Sequence, residues 1–130
     1  MNKDISLPKA TGVYSPALRI GDWIYVSGQG PIDDRGNIVA GSFEDEMLLT
    51  LKNIQRLVEA AGGEVNRITK CTCYLSNIAN FNKFDEIYGE FFRNAEVFPA
   101  RTTVAAELDR IQIEIDAVAY VGKEIPIMIR

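Results

Sequence analysis

The segment from Ile111 to Val121 constrains this chain most. Ile111, Ile113, Ile115, Ala117 and Ala119 alternate with Gln112, Glu114, Asp116, Val118 and Tyr120. A period of two sends successive side chains to opposite faces of an extended strand. One face is thus wholly apolar, and the other carries the carboxylates of Glu114 and Asp116. The chain must build a sheet with one side packed against a core.

The partners of that strand are legible nearby. Ala17 to Ile20 and Trp23 to Ser27 read as two strands joined by a Gly21-Asp22 turn. Asp33 to Gly36 is a second turn signal, and Asn37 to Ala40 is expected to add a short strand. Ser42 can cap a helix whose first turn holds Glu44, Asp45 and Glu46, suited to the positive end of its dipole. Met47, Leu51, Ile54, Leu57, Val58 and Ala61 recur at helical spacing, and Gly62-Gly63 ends the run. Ile68 to Leu75, rich in β-branched residues, is the next strand. A second helix starts near Asn80, with Phe81, Phe84, Tyr88, Phe91 and Phe92 as its buried stripe. Arg101 to Ala106 precedes the alternating strand.

This order, with two helices among the strands, describes an α+β two-layer sandwich: a mixed β-sheet with both helices on one face. The chain of 130 residues suits a single domain over 1–130. The face away from the helices is expected to carry Val26, Val104, Val118 and Tyr120 or their neighbours. Such a face needs a cover, which self-association with closed symmetry would supply.

Composition removes several function classes. The chain is 47% hydrophobic and 25% charged, ordinary for a globular protein. No apolar run approaches the roughly 20 residues that span a bilayer. Met1 to Pro8 lacks the apolar stretch and cleavage site of a signal peptide, so a cytoplasmic location and no membrane partner are expected. The net charge of −4, with 14 basic residues scattered among 18 acidic ones, argues against nucleic acid as a partner. Without a histidine there is no Ser–His or Cys–His dyad and no His-based zinc site. Cys71 and Cys73 share one strand face in a Cys-x-Cys spacing that completes neither a redox nor a metal motif, so they read as buried free thiols.

Several segments together resemble one family. Gly12-Val13-Tyr14-Ser15-Pro16-Ala17 is similar to the Gly-Pro-Tyr-Ser-Gln-Ala opening of RidA (YjgF-type) proteins. Ile24-Tyr25-Val26-Ser27-Gly28-Gln29 matches their second strand. Val58-Glu59-Ala60-Ala61-Gly62-Gly63 and Lys70 to Leu75 follow their middle. Phe98-Pro99-Ala100-Arg101-Thr102-Thr103-Val104 resembles their signature, and Ile113-Glu114-Ile115-Asp116-Ala117-Val118-Ala119 their closing strand. The resemblance runs from about residue 10 to 121, leaving 122–130 as a C-terminal tail. It implies a chorismate-mutase-like homotrimer with clefts between subunits. The implied activity is hydrolysis of reactive 2-imino (2-enamino) carboxylic acids to 2-keto acids and ammonia, with no metal or organic cofactor. A non-catalytic trimer that binds a small carboxylate, and an endoribonuclease, are the rival readings.

Residue chemistry fits that implication. The carboxylate of a 2-imino acid calls for a planar bidentate donor, which Arg provides and Lys does not. Arg101, just after Pro99 at a strand start, is the candidate; a surface ion pair is its other possible role. Glu114 sits mid-strand opposite the isoleucines, where it could polarise water or shuttle a proton, or form a structural ion pair. With an ordinary pKa of about 4.3 it is ionised at pH 7 unless burial raises that value. Tyr14 is the third catalytic candidate, by the resemblance, with a packing role as the alternative. Ser27 and Gly28 close a strand, and Gly28 either lets a ligand approach the backbone or marks a bulge. Thr103 stands where some relatives carry cysteine, and its N–H is a candidate donor to the substrate carboxylate.

Val13 and Pro16 depart from the family's opening, and Asp85 stands where active relatives often carry Asn. A carboxylate at 85, if it faces the cleft, would repel a substrate carboxylate and favour a polar or cationic group. The Glu107 to Arg110 turn is shorter than the family's and is expected to shift the rim near Arg101. The apolar tail, with Ile125, Ile127, Met128 and Ile129, is expected to pack on its own or a neighbouring subunit.

Overall fold

The computed structural model describes residues 7–130; Met1 to Ser6, and with them most of the segment read for a leader, lie outside the described residues. The strands are β1 (Ala17–Ile20), β2 (Trp23–Gln29), β3 (Ile68–Leu75), β4 (Ala100–Ala105) and β5 (Ile113–Tyr120). They form one mixed sheet in the order β1-β2-β5-β3-β4. All pairs are antiparallel except β3 with β4. The helices are α1 (Phe43–Ala60) and α2 (Phe81–Phe91). The architecture is the α+β sandwich expected from the sequence.

The helix termini form as the sequence dictates. Ser42 caps α1 by accepting a hydrogen bond from the Asp45 N–H. At the other end Gly62 takes φ +91°, a left-handed conformation that costs glycine little. Its N–H and that of Gly63 donate to Glu59 O and Val58 O, satisfying carbonyls the helix would leave open.

The core lies between helices and sheet. Ile113, Ile115, Ala117 and Ala119 of β5 are buried there with Cys71, Cys73 and Leu75 of β3 and Met47, Leu51, Ile54, Leu57 and Val58 of α1. The expected stripe of α2 is buried at Phe84, Tyr88 and Phe92, joined by Ile87, while Phe81 and Phe91 pack at its edge. Both cysteines are free and buried, and burial pushes the Cys71 thiol up to about 11. No helix among the described residues is long and apolar enough to cross a membrane.

Two expectations need correction, and one gains a second role. Val26 belongs to the core: alternation along β2 groups it with Ile24 and sends Trp23 and Tyr25 to the open face. Residues 37–40 form no strand, because a single bridge, Ile32 with Ile38, is all that pairs there. Glu46 does more than face the helix dipole. It is buried, and its carboxylate accepts from the Gln112 N–H at 2.9 Å and from Gln112 Nε2 at 2.8 Å, tying α1 to the entry of β5.

The open face carries Leu18, Ile20, Trp23, Tyr25 and Val104, all exposed. The tail starts on that side: Arg67 donates to Gly122 O and Glu124 O, both at 2.6 Å, and stacks over Tyr120. Ile125, Ile127, Met128 and Ile129 line a groove with Trp23, Phe98 and Tyr120, yet all four stay largely exposed.

Candidate active site

The sheet register decides which side chains can meet. Arg101 pairs with Cys71, which in turn pairs with Ala117. Facing pairs share a side of the sheet, so Arg101 lies on the helix-covered side with those two buried residues. Glu114 pairs with Tyr74 and lies on the open side. Two strand spacings and three residues of rise separate Arg101 from Glu114 by roughly 14 Å of backbone, with side chains pointing to opposite sides. Within one chain they cannot touch a common small molecule.

Each belongs to its own cavity. The first, about 450 Å³, is bounded by Asp85, Tyr88 and Gly89 of α2, by Phe98 and Pro99, and by Arg101. The Arg101 guanidinium lies over three ring faces of α2, 5.7 Å from the centroid of Phe81, 5.1 Å from Phe84 and 4.7 Å from Tyr88. Its Nη1 donates to Asp85 Oδ1 at 2.8 Å. Arg101 is 23% exposed and Asp85 56%. Among the described residues no other acceptor engages the guanidinium, which leaves N–H groups for a planar anion. The Tyr88 hydroxyl and Thr103 Oγ1 are buried without a hydrogen-bond partner. Thr103 lies one pleat beyond Arg101 on the same side of β4. The turn at 107–110 follows the far end of β4, so Phe98 and Pro99, and not that turn, form the rim beside Arg101.

The second cavity, about 650 Å³, is lined by Tyr14, Ser15, Tyr25, Ser27, Gly28, Glu114 and Asp116 among others. Burial, and secondarily the neighbouring Asp116 charge, raises the Glu114 carboxyl above the ordinary carboxylate range. The Tyr74 hydroxyl donates to Asp116 Oδ2 at 3.2 Å. Gly28 makes room for the Glu114 carboxylate. A Cβ at Gly28 would stand 2.5 Å from Glu114 Oε2, so a side chain there would expel the carboxylate. The irregularity between Val26 and Gln29 in the β2–β5 pairing is the bulge that the sequence left open, and the group close to its backbone is Glu114. Ser27 Oγ donates to Ser15 O at 2.6 Å and its N–H to Pro16 O, so Ser27 fixes the segment leading to Tyr14. The exposed Tyr14 hydroxyl bonds to Thr11 Oγ1 at 3.0 Å and accepts from its N–H at 3.1 Å.

The expected residues thus divide in two. Arg101, Thr103 and Asp85 gather on the helix side; Tyr14, Ser27, Gly28 and Glu114 gather on the open side. Sequence reasoning missed the aromatic bed under Arg101, although Phe81, Phe84 and Tyr88 were legible as a stripe. It also missed Gly89, four residues after Asp85 and so on the same helix face.

A guanidinium set on aromatic faces, with a partly buried carboxylate on the other side of the same sheet, gives this α+β fold one candidate anion receptor and one candidate proton carrier. Comparison with known proteins places it more narrowly. Residues 4–121 match the family described as Endoribonuclease L-PSP. The chain belongs to this family, the RidA/YjgF group. It is 41% identical over 118 residues to a RutC family protein of Pyrococcus horikoshii, covering 87% of this chain and 90% of that one. It is 39% identical over 118 residues to human 2-iminobutanoate/2-iminopropanoate deaminase, covering 88% and 85%. Among solved structures, Escherichia coli TdcF with bound serine superposes with a TM-score of 0.81 at 30% identity, covering 91% of this chain and 95% of that one.

Proposed function

We propose that this protein hydrolyses 2-imino and 2-enamino carboxylic acids to 2-keto acids and ammonia, as a homotrimer whose sites form between subunits. The observation that carries this reading is the Arg101 guanidinium, held on three aromatic faces with N–H groups left for a substrate carboxylate. The human deaminase relative supports the substrate class.

Because Arg101 and Glu114 point to opposite sides of one sheet, a complete site needs Arg101 from one copy and Glu114 from the next. The exposed Leu18, Trp23, Tyr25 and Val104 provide the apolar surface for that association. A closed ring of copies then supplies each Arg101 with a Glu114.

In such a site Arg101 grips the carboxylate, helped by Thr103, and fixes the imine carbon. Water adds to that carbon as Glu114 takes its proton, giving a carbinolamine. Glu114 returns the proton to nitrogen, the C–N bond breaks, and the hydroxyl proton passes by way of Glu114 to the departing ammonia, leaving the keto acid. One iminium and one water become one keto acid and one ammonium. A carboxyl group with a raised pKa suits both the uptake and the return of the proton. Tyr14 and Ser27 shape the wall from which water enters.

The test generates an imine in situ with an amino-acid oxidase and follows keto-acid release. The protein accelerates release, and Arg101→Ala removes the acceleration while the assembly persists. Failure to accelerate release from any of several amino acids overturns the proposal. A second reading, a non-catalytic trimer binding a small carboxylate, is favoured by one observation: Asp85 already occupies Nη1 of Arg101. Binding without turnover would distinguish it. The matched family's description names an endoribonuclease, but a net charge of −4 and the absence of histidine argue against ribonuclease action in this chain.

A further inference from the structure

We infer that Asp85 and Gly89 form a subsite for the side chain of the bound molecule, selecting side chains that end in a positive charge or a hydrogen-bond donor over acidic ones. This rests on the reading of Arg101 as the carboxylate receptor, and it names which carboxylates that receptor takes.

Two observations converge on it, and the proposed shared site adds a third reason. Asp85 keeps Oδ1 on Arg101 at 2.8 Å, but its side chain is 56% exposed at the cavity, so a second acceptor oxygen is available beside the guanidinium. Gly89 lines the same cavity one helical turn on, and nothing lies within 4 Å of where its Cβ would be. A glycine inside a helix is unfavourable relative to alanine, and no neighbouring side chain here demands it. What glycine leaves is room, directly beside the acidic side chain. The third reason follows from the proposed sharing of the site between copies. A carboxylate held by Arg101 must turn its reacting carbon outward, toward the Glu114 of a second copy. The remaining substituent then lies along α2, over Gly89 and toward Asp85.

Charge makes the choice. The pocket holds one cation and one carboxylate in direct contact, so the substrate carboxylate takes most of the remaining positive potential. A second carboxylate on the side chain would meet Asp85 without a cation of its own. An ammonium or an amide N–H would meet an acceptor. A charge-assisted hydrogen bond to a carboxylate contributes about 1.5–3 kcal/mol, which corresponds to a preference of roughly tenfold or more.

The test is calorimetric binding of L-lysine, L-alanine and L-glutamate as stable stand-ins to wild type, Asp85→Asn and Gly89→Met, with the oligomeric state checked for each. Wild type is expected to bind lysine roughly tenfold or more above glutamate. Asp85→Asn should collapse that ratio, and Gly89→Met should weaken lysine more than alanine. A wild-type ratio near one, or a preference for glutamate, overturns the inference. So does an Asp85→Asn variant that weakens all three equally, because Asp85 would then meet the shared α-nitrogen. If Asp85→Asn does not fold, the wild-type ratio and Gly89→Met decide. The imine-hydrolysis assay runs separately, so a protein that selects lysine without turnover keeps the subsite and loses only the deaminase reading.

Discussion

Arg101 Nη1 donates to Asp85 Oδ1 at 2.8 Å, so the candidate anion receptor is already engaged by a carboxylate of its own chain. Any ligand carboxylate must share the guanidinium with Asp85. Removing that competitor has a direct consequence. Asp85→Asn is expected to tighten binding of a simple monocarboxylate such as pyruvate several-fold, read by calorimetry. Weaker binding would mean that Asp85 positions Arg101 more than it competes with the ligand.

Replacing Arg101 separates charge from geometry. Arg101→Lys keeps the charge but loses the planar fork and the stacking on Phe81, Phe84 and Tyr88. Its kcat/KM for imine hydrolysis should fall by roughly 10–100-fold, given about 1.5–3 kcal/mol for hydrogen bonds to a charged group. Thermal stability should change little. Near-normal turnover in Arg101→Lys would show that a point charge suffices.

The raised pKa of Glu114 sets a pH dependence. If its carboxylate accepts the proton from water, the acid limb of kcat/KM should lie above the ordinary carboxylate range. Asp116→Asn removes the smaller of the two causes, so it should move that limb to lower pH by a modest amount. The stability effect has the opposite sign. Folding disfavours the charged form of Glu114, so stability is lost as pH rises from the ordinary carboxylate value through the raised one. Glu114→Gln should therefore raise Tm at pH 7, and the gain should fade toward pH 4.

Glu46 tests the fold independently of the site. Its buried carboxylate holds the Gln112 N–H and side-chain amide. Glu46→Ala leaves those donors unpaired and should cost about 2–4 kcal/mol in denaturant unfolding. Glu46→Gln, which keeps an acceptor oxygen, should cost less. Equal losses would mean that packing, not hydrogen bonding, explains the burial.

Local signals carried most of the fold. The alternation through Ile113 and Ile115, the Ser42 cap and the Gly62-Gly63 stop each act within a few residues and appear as expected. What could not be read depends on register between distant segments. Arg101 reaches the helix side because β4 runs parallel to β3 with Arg101 opposite Cys71, a pairing no local pattern reveals. Glu46 looked like a dipole partner because its burial depends on Gln112, far along the chain. Gly28 was marked for a close approach, but only the β2–β5 pairing identifies Glu114 as the approaching group.

The most direct measurement concerns the division of the site between copies. Arg101→Ala and Glu114→Gln, each inactive alone, are co-expressed with different tags, and mixed assemblies are purified through both. If each site takes Arg101 from one copy and Glu114 from its neighbour, every mixed trimer holds one complete site of three and restores about one third of wild-type imine hydrolysis. Mixed assemblies that remain as inactive as their parents would contradict the shared site.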